Sequence, residues 1–160
     1  TLFGTFAAIY FWFPKMFGRM MNETLGKWHF TLTLIGVYCI FMPMHYLGLV
    51  ANVRRYSSFT DDYMLSAQPL HVFITYAALF TGAVQLLFLF NLVYSRLKGA
   101  PAPVNPWEAT SLEWTIPSPP PHDNFGGVHP VVYHGPNEYG MKGSTGDYVM
   151  QNSPEKLGSD

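Results

Sequence analysis

The sequence predicts an all-α membrane protein: half a transmembrane helix and two full transmembrane helices of a larger helical bundle, followed by an irregular Pro/Gly-rich tail. Three observations carry this prediction. Of the 160 residues, 49% are hydrophobic and only 12% are charged, about half the charged share of an ordinary soluble domain. The charges are segregated, since residues 1–14, 28–53 and 63–95 hold no Asp, Glu, Lys or Arg. Ten of the 13 prolines and eight of the 14 glycines fall in residues 99–160. A soluble globular domain is incompatible with two uncharged stretches of that length.

A transmembrane helix needs about 20 largely apolar residues to cross the hydrocarbon layer. Residues 1–13 are too few, and they read as the second half of a span. No basic segment or small-residue cleavage site of the secretory kind precedes them, so the chain looks cut within a hydrophobic element. Pro14 and residues 15–27 are expected to form an amphipathic loop with Phe17, Met20 and Met21. The second helix is expected over about 28–51. The third is expected over about 69–96, about 42 Å at 1.5 Å per residue, long enough to tilt or protrude. Residues 1–98 are therefore the transmembrane segment.

Both full helices carry small and polar residues at helical spacing. Thr33, Gly36 and Cys39 share one face of the second helix. His71, Thr75, Ala78, Gly82 and Gln85 step by four, three, four and three along the third. In a bilayer such stripes ordinarily face protein, because small residues admit a neighbouring helix and polar ones find partners there. Pro43 lies inside the second helix, where a kink is expected.

Residues 99–160 show no sustained helical or alternating period, and from Lys98 onward three basic residues face seven acidic ones. Extended, surface-clinging segments are expected, with disorder towards the end. Trp107, Leu112, Trp114, Ile116 and Phe125 are candidate anchors, whereas residues 140–160 have few and are expected to be loose. Lys15, Arg19, Lys27, Arg96 and Lys98 border one side of the membrane, against Arg54 and Arg55 on the other. The positive-inside rule then makes the tail cytoplasmic.

Candidate chemistry is sparse. A net charge of −1 removes the simplest case for nucleic-acid binding. The single cysteine, Cys39, rules out an internal disulfide framework and any CxxC motif. His29 and His45 lie about 24 Å apart along a continuous helix and cannot share an ion. His71 has no spacing that demands a partner, and His122, His129 and His134 lack an HExxH or cysteine companion. Phosphate-loop, nucleophile-elbow and dinucleotide fingerprints are missing. The informative pair is Arg54 and Arg55, adjacent at the end of a 26-residue uncharged stretch. Such arginines either anchor at the interface or pair with Asp61 and Asp62, or they form an anion site. Two planar donor forks suit a carboxylate.

Several sequence words carry more information than these periods. Tyr10-Phe-Trp-Phe-Pro-Lys15, Leu25-Gly-Lys-Trp-His-Phe30, Phe41-Met-Pro-Met-His-Tyr-Leu-Gly-Leu49, Arg54-Arg-Tyr56, Asn105-Pro-Trp107 and Leu112-Glu-Trp-Thr-Ile-Pro-Ser-Pro-Pro-Pro-His122 occur in this order. Together they resemble the C-terminal part of subunit I of heme-copper terminal oxidases, the cytochrome c oxidase branch, over about residues 1–135.

The resemblance implies that residues 1–13 are the cytoplasmic half of the tenth helix of that subunit, and that the full spans are helices eleven and twelve. It assigns Arg54 and Arg55 to the heme propionates, which favours the anion-site reading over the anchor. It implies heme A and copper in the assembled complex, ligated by histidines upstream of these residues. The implied partners are the remainder of subunit I, other oxidase subunits, cytochrome c as electron donor and membrane lipids. The implied location is a bacterial plasma membrane or an equivalent respiratory membrane, and the parent activity is reduction of oxygen to water coupled to proton pumping. The alternative is a non-catalytic membrane scaffold or assembly protein related to the oxidase. One departure stands beside the arginines: the family places Gly-Met-Pro before them, whereas this chain has Ala51-Asn-Val53 and lacks the proline restraint.

Overall fold

A computed structural model of the chain describes residues 1–50, 52, 62–141, 144 and 146–154. Three α-helices follow in order: α1 (Leu2–Phe17), α2 (Glu23–Leu49) and α3 (Asp62–Lys98), and a 3₁₀ turn at Leu112–Trp114 lies in the tail. The chain divides into two compact units, one of residues 22–94 and one of residues 1–21 with 95–160.

The 22–94 unit is a pair of long helices. α2 begins at Glu23, within the segment expected to be a loop. The Oδ1 of Asn22 accepts from the Leu25 N–H at 3.0 Å, a cap worth about 1 kcal/mol. Glu23 adds negative charge at the positive end of the helix dipole and pairs with Lys27 at 3.0 Å, one turn on. Local capping thus starts the helix before the apolar run does. α3 likewise starts at Asp62 and passes through Pro69, the position expected to open it. α2 continues through Pro43 to Leu49.

The packing face of α2 carries His29, Thr33 and Gly36, all buried. A Cβ on Gly36 would collide with Oγ1 of Thr81, so glycine is what lets α3 approach here. On α3 the expected stripe packs at its two ends, where His71 and Gln85 are half-buried and bond Asn52, His29 and Thr33, and not in its middle. Thr75, Ala78 and Gly82 are exposed, and a Cβ on Gly82 would meet nothing within 4 Å. The buried or half-buried positions in this stretch include Ile74, Ala77, Thr81, Val84 and Phe88. Four of these five precede a stripe residue by one place, a rotation of about 100°. Shape complementarity explains the shift: Thr81 fills the gap at Gly36, and Phe88 lies 5.2 Å from the His29 ring.

Outside this seam both helices are apolar and exposed. Trp28, Phe30, Ile35 and Phe41 on α2, and Phe73, Leu79, Leu86 and Phe90 on α3, are each more than 45% exposed. Only 17% and 22% of the most apolar windows of the two helices are buried. That much contiguous apolar surface is unsuited to water and suited to lipid or further helices.

In the other unit α1 runs through Pro14 and stops at Gly18, whose φ is 65° and whose N–H bonds the Pro14 carbonyl at 2.8 Å. A Cβ there would also approach Pro119 Cδ and the Ser118 carbonyl to 2.9 Å. Conformation and close packing both demand glycine. Residues 18–20 then pair with residues 99–102: Met20 N–H bonds Ala100 O at 2.8 Å and Ala102 N–H bonds Gly18 O at 3.0 Å.

The tail is irregular and pinned. Trp114 is 1% exposed, and Ile116 and Val149 are buried. Of the residues expected to be loose, described ones are held as far as Ser153, mainly through Gln151. Its N–H bonds Thr110 O at 2.9 Å and its carbonyl accepts from Tyr133 N–H at 2.8 Å. Its side-chain Oε1 accepts from Leu112 N–H at 2.9 Å and its Nε2 donates to His134 O at 3.3 Å. One polar side chain thereby replaces the apolar anchors that the segment lacks.

Candidate functional site

Arg54 and Arg55, the residues the sequence singles out, lie outside the described residues, as does Asp61. The structure describes what stands on either side of them. The last turn of α2 closes with Val50 N–H on Tyr46 O at 3.1 Å and Asn52 N–H on Leu47 O at 3.0 Å. The second bond is the six-to-one contact of a Schellman helix end. The side chain of Asn52 reaches α3, where its Nδ2 lies 3.1 Å from Nε2 of His71. The Oδ1 of the same amide is buried with no partner among the described residues. His45, also near this end of α2, bonds through Nδ1 to the carbonyl of Phe41 in its own helix at 2.7 Å.

A polar seam runs between α2 and α3 farther from this end. His29, 2% exposed, lies with Nε2 at 3.1 Å from Gln85 Oε1. Gln85 Nε2 donates to Thr81 O at 2.8 Å and to Thr33 Oγ1 at 3.4 Å. Asn91, fully buried, donates to the Asn22 carbonyl at 3.1 Å. Hydrogen bonds satisfy these groups, as burial requires. The seam is built as helix-to-helix adhesion.

A third cluster joins words of the sequence that lie about a hundred residues apart. Lys15 of α1 is only 6% exposed, and its Nζ donates to Ile116 O at 2.7 Å and Val104 O at 3.3 Å. The ammonium also sits 5.0 Å from the Trp114 ring centre. Phe11 stacks on Trp107 at 6.1 Å and meets Trp114 edge-on at 5.1 Å, and Trp107 Nε1 donates to Phe11 O at 2.9 Å. Arg19 donates to Gly99 O at 2.7 Å, and Arg96 lies over the Phe17 ring. Lys15 lies beyond the apolar run of residues 1–13. Burial pushes its ammonium below the usual lysine range, opposed by the negative charge of Glu113.

Among the described residues no three of His, Cys, Asp and Glu come together as a metal site. His134 is buried beside Glu138, with Nδ1 at 3.9 Å from Oε2, while His122 and His129 are exposed.

An exposed apolar surface around a hydrogen-bonded seam, on helices long enough to cross a bilayer, defines an all-helical membrane protein. More particularly, the chain belongs to the cytochrome c and quinol oxidase polypeptide I family, whose model matches residues 1–102. It is 48% identical over 155 residues to an alternative cytochrome c oxidase subunit 1 of Bradyrhizobium diazoefficiens, covering 95% of this chain and 26% of that protein. A cytochrome c oxidase subunit 1 of Synechocystis is 44% identical over 139 residues, 87% of this chain and 24% of its own length. A heme-copper oxidase subunit I+III of Aeropyrum pernix is 39% identical over 157 residues, 98% of this chain and 18% of its own. The chain thus spans about a quarter of the length of the first two relatives, and less of the third. The motif resemblance stops near residue 135, whereas the similarity takes in nearly the whole chain.

Sequence reasoning read Lys15 and Arg19 as orienting charges and missed them as clamps on the tail. Their place in and beside the Tyr10–Lys15 word was the available signal. Asn52 was legible only as a departure from Gly-Met-Pro. Nothing around Gln151 marked it.

Proposed function

We propose that the chain is the C-terminal segment of the catalytic subunit of a proton-pumping cytochrome c oxidase that reduces oxygen to water, with the metal-ligating histidines upstream of these residues. It supplies walls of the heme pocket, and Arg54 and Arg55 bind heme propionates. Heme A, when bound, supplies reversible one-electron transfer. The donor set fits its carboxylates, because two adjacent guanidiniums remain charged and present planar forks of N–H groups. Their fixed positive charge offsets the propionates and holds the heme potentials up. The copper role belongs to residues outside this chain.

Partners in this reading are the rest of subunit I, other oxidase subunits, membrane lipids and cytochrome c as donor. The location is a bacterial plasma membrane or equivalent respiratory membrane, with the tail in the cytoplasm. The observation that carries the reading is family membership across the two spanning helices, with the arginines between them in sequence.

The test is redox titration of Arg54→Ala and Arg55→Ala in the assembled complex. The expected result is lowered heme midpoint potentials and turnover down about tenfold, with heme content retained. Unchanged potentials in both variants overturn the propionate assignment. A complex isolated through this chain that shows no heme A in its reduced-minus-oxidised spectrum favours the scaffold alternative.

A further inference from the structure

We propose that Arg19, Arg96 and Lys98 hold the headgroup of an anionic phospholipid where the end of α1 meets the end of α3. The inference rests on the lipid contact of the reading above and deepens it by naming a headgroup class and the residues that take it. Residues 1–14 and 63–95 carry no charge, and the first charges after them are Lys15 and Arg19, and Arg96 and Lys98. Lys15 turns inward onto the carbonyls of Ile116 and Val104, and the other three remain. The chain brings them together, because Met20 N–H bonds Ala100 O at 2.8 Å and Ala102 N–H bonds Gly18 O at 3.0 Å. Gly99 permits that approach, since a Cβ there would collide with the Ser95 and Met20 carbonyls.

Two of the cations are held in place. Arg19 Nη1 donates to Gly99 O at 2.7 Å, one residue beyond Lys98. The Arg96 guanidinium sits 4.6 Å from the centre of the Phe17 ring, a cation–π contact two residues before Arg19. Side chains anchored in this way have little rotamer freedom left to lose on meeting an anion, and a guanidinium fork matches phosphate oxygens. The charges are also unspent. Glu108, Glu113, Asp123 and Asp147 lie in the tail, yet among the described residues no carboxylate pairs with any of the three. The ion pairs there are Lys27 with Glu23 and His134 with Glu138. Arg96 and Lys98 are exposed, and beside the cations Leu97 is 68% and Met16 50% exposed. Positive charge flanked by exposed apolar side chains, at the end of a helix long enough to span, suits an anionic head carrying acyl chains. A soluble anion would gain nothing from Leu97 and Met16.

The test uses the intact solubilised complex with photoreactive phosphatidylglycerol and phosphatidylcholine, each with the same reactive group near its glycerol backbone. Labelled residues are mapped by mass spectrometry. Phosphatidylglycerol is expected to label residues 12–20 and 95–102 about fivefold more than phosphatidylcholine. Arg19→Gln, Arg96→Gln and Lys98→Gln should each cut that labelling about fivefold, and the charge-keeping Arg96→Lys should cut it less. Lys27→Gln removes a cation already paired with Glu23 and should leave these segments unchanged. Equal labelling by the two lipids in the unsubstituted complex overturns the proposal, whatever the variants do. Labelling that survives all three glutamine variants overturns it as well. Competition by free inorganic phosphate assigns the cations to a soluble anion and overturns the lipid. If both lipids label the exposed faces of α2 and α3 but not these segments, the headgroup site fails and general lipid contact stands. If neither lipid labels the chain anywhere, both fail.

Discussion

The paired helices of residues 22–94 and the unit formed by residues 1–21 with 95–160 keep their backbones satisfied in different ways. In the helix pair nearly all backbone hydrogen bonding is internal to α2 and α3, the polar His29, Thr33 and Asn91 are inside, and rings and aliphatic chains cover the outside. In the other unit irregular chain is held by bonds between distant segments, as at Met20–Ala100 and Gln151–Thr110, around an aromatic centre of Phe13 and Trp114. The difference is one of solvent. Lipid offers no hydrogen bonds, so only closed backbone survives there. The described part of the tail, irregular and with many exposed residues, is suited to water. One chain thus follows two sets of folding rules.

The strongest way to break the contrast is to empty the aromatic centre of the tail unit. Trp114→Ala is expected to cost about 3–5 kcal/mol and to detach the tail from α1. Limited proteolysis of the solubilised complex would then cut residues 99–154 faster, while the helix pair stays resistant. Resistance of both regions would show that Trp114 is not what holds the tail.

A smaller effect is expected in the helix pair. Gly36→Leu drives a side chain into Thr81 and should cost about 1–3 kcal/mol, seen as a lower thermal midpoint of the complex. The comparison sharpens with Gly36→Ala, because Thr81→Ala in the same molecule removes the colliding hydroxyl and should restore part of the loss. Additive losses would mean that the Gly36–Thr81 approach is not the determining contact.

The smallest effect separates the regions by pH. Burial lowers the Lys15 pKa in the folded state below its ordinary value of 10.5. The unfolded chain then binds more protons than the folded one between the lowered value and 10.5, so this group makes stability rise with pH across that window. The rise should be present in the tail-protection assay of the unsubstituted protein and lost in Lys15→Met. An identical pH profile in both would remove Lys15 from the account.

Much of this organisation was legible before any coordinates. Uncharged runs located α2 and α3, and the Tyr10–Lys15, Asn105–Trp107 and Leu112–His122 words marked segments that meet through Phe11, Lys15, Trp107 and Trp114. The start of α2 was missed by five residues because hydropathy sees Trp28, whereas the helix is begun by the Asn22 cap. The packing face of α3 was read correctly at His71 and Gln85 and missed by one residue at Thr75, Ala78 and Gly82, because small side chains mark where helices can approach, not where they do. The hold around Gln151 was missed because this residue acts through backbone groups contributed by two separate segments, 110–112 and 133–134.

Hydropathy and charge add up residue by residue along a chain, and for that reason composition alone pointed to a membrane helical protein. Motif order settled its family in the same linear way. Which face of α3 meets Gly36, what Lys15 donates to, and that Asn52 reaches His71 all depend on two distant surfaces matching in shape and hydrogen bonding. No local count along the chain contains that information, and it appears only when the elements are packed.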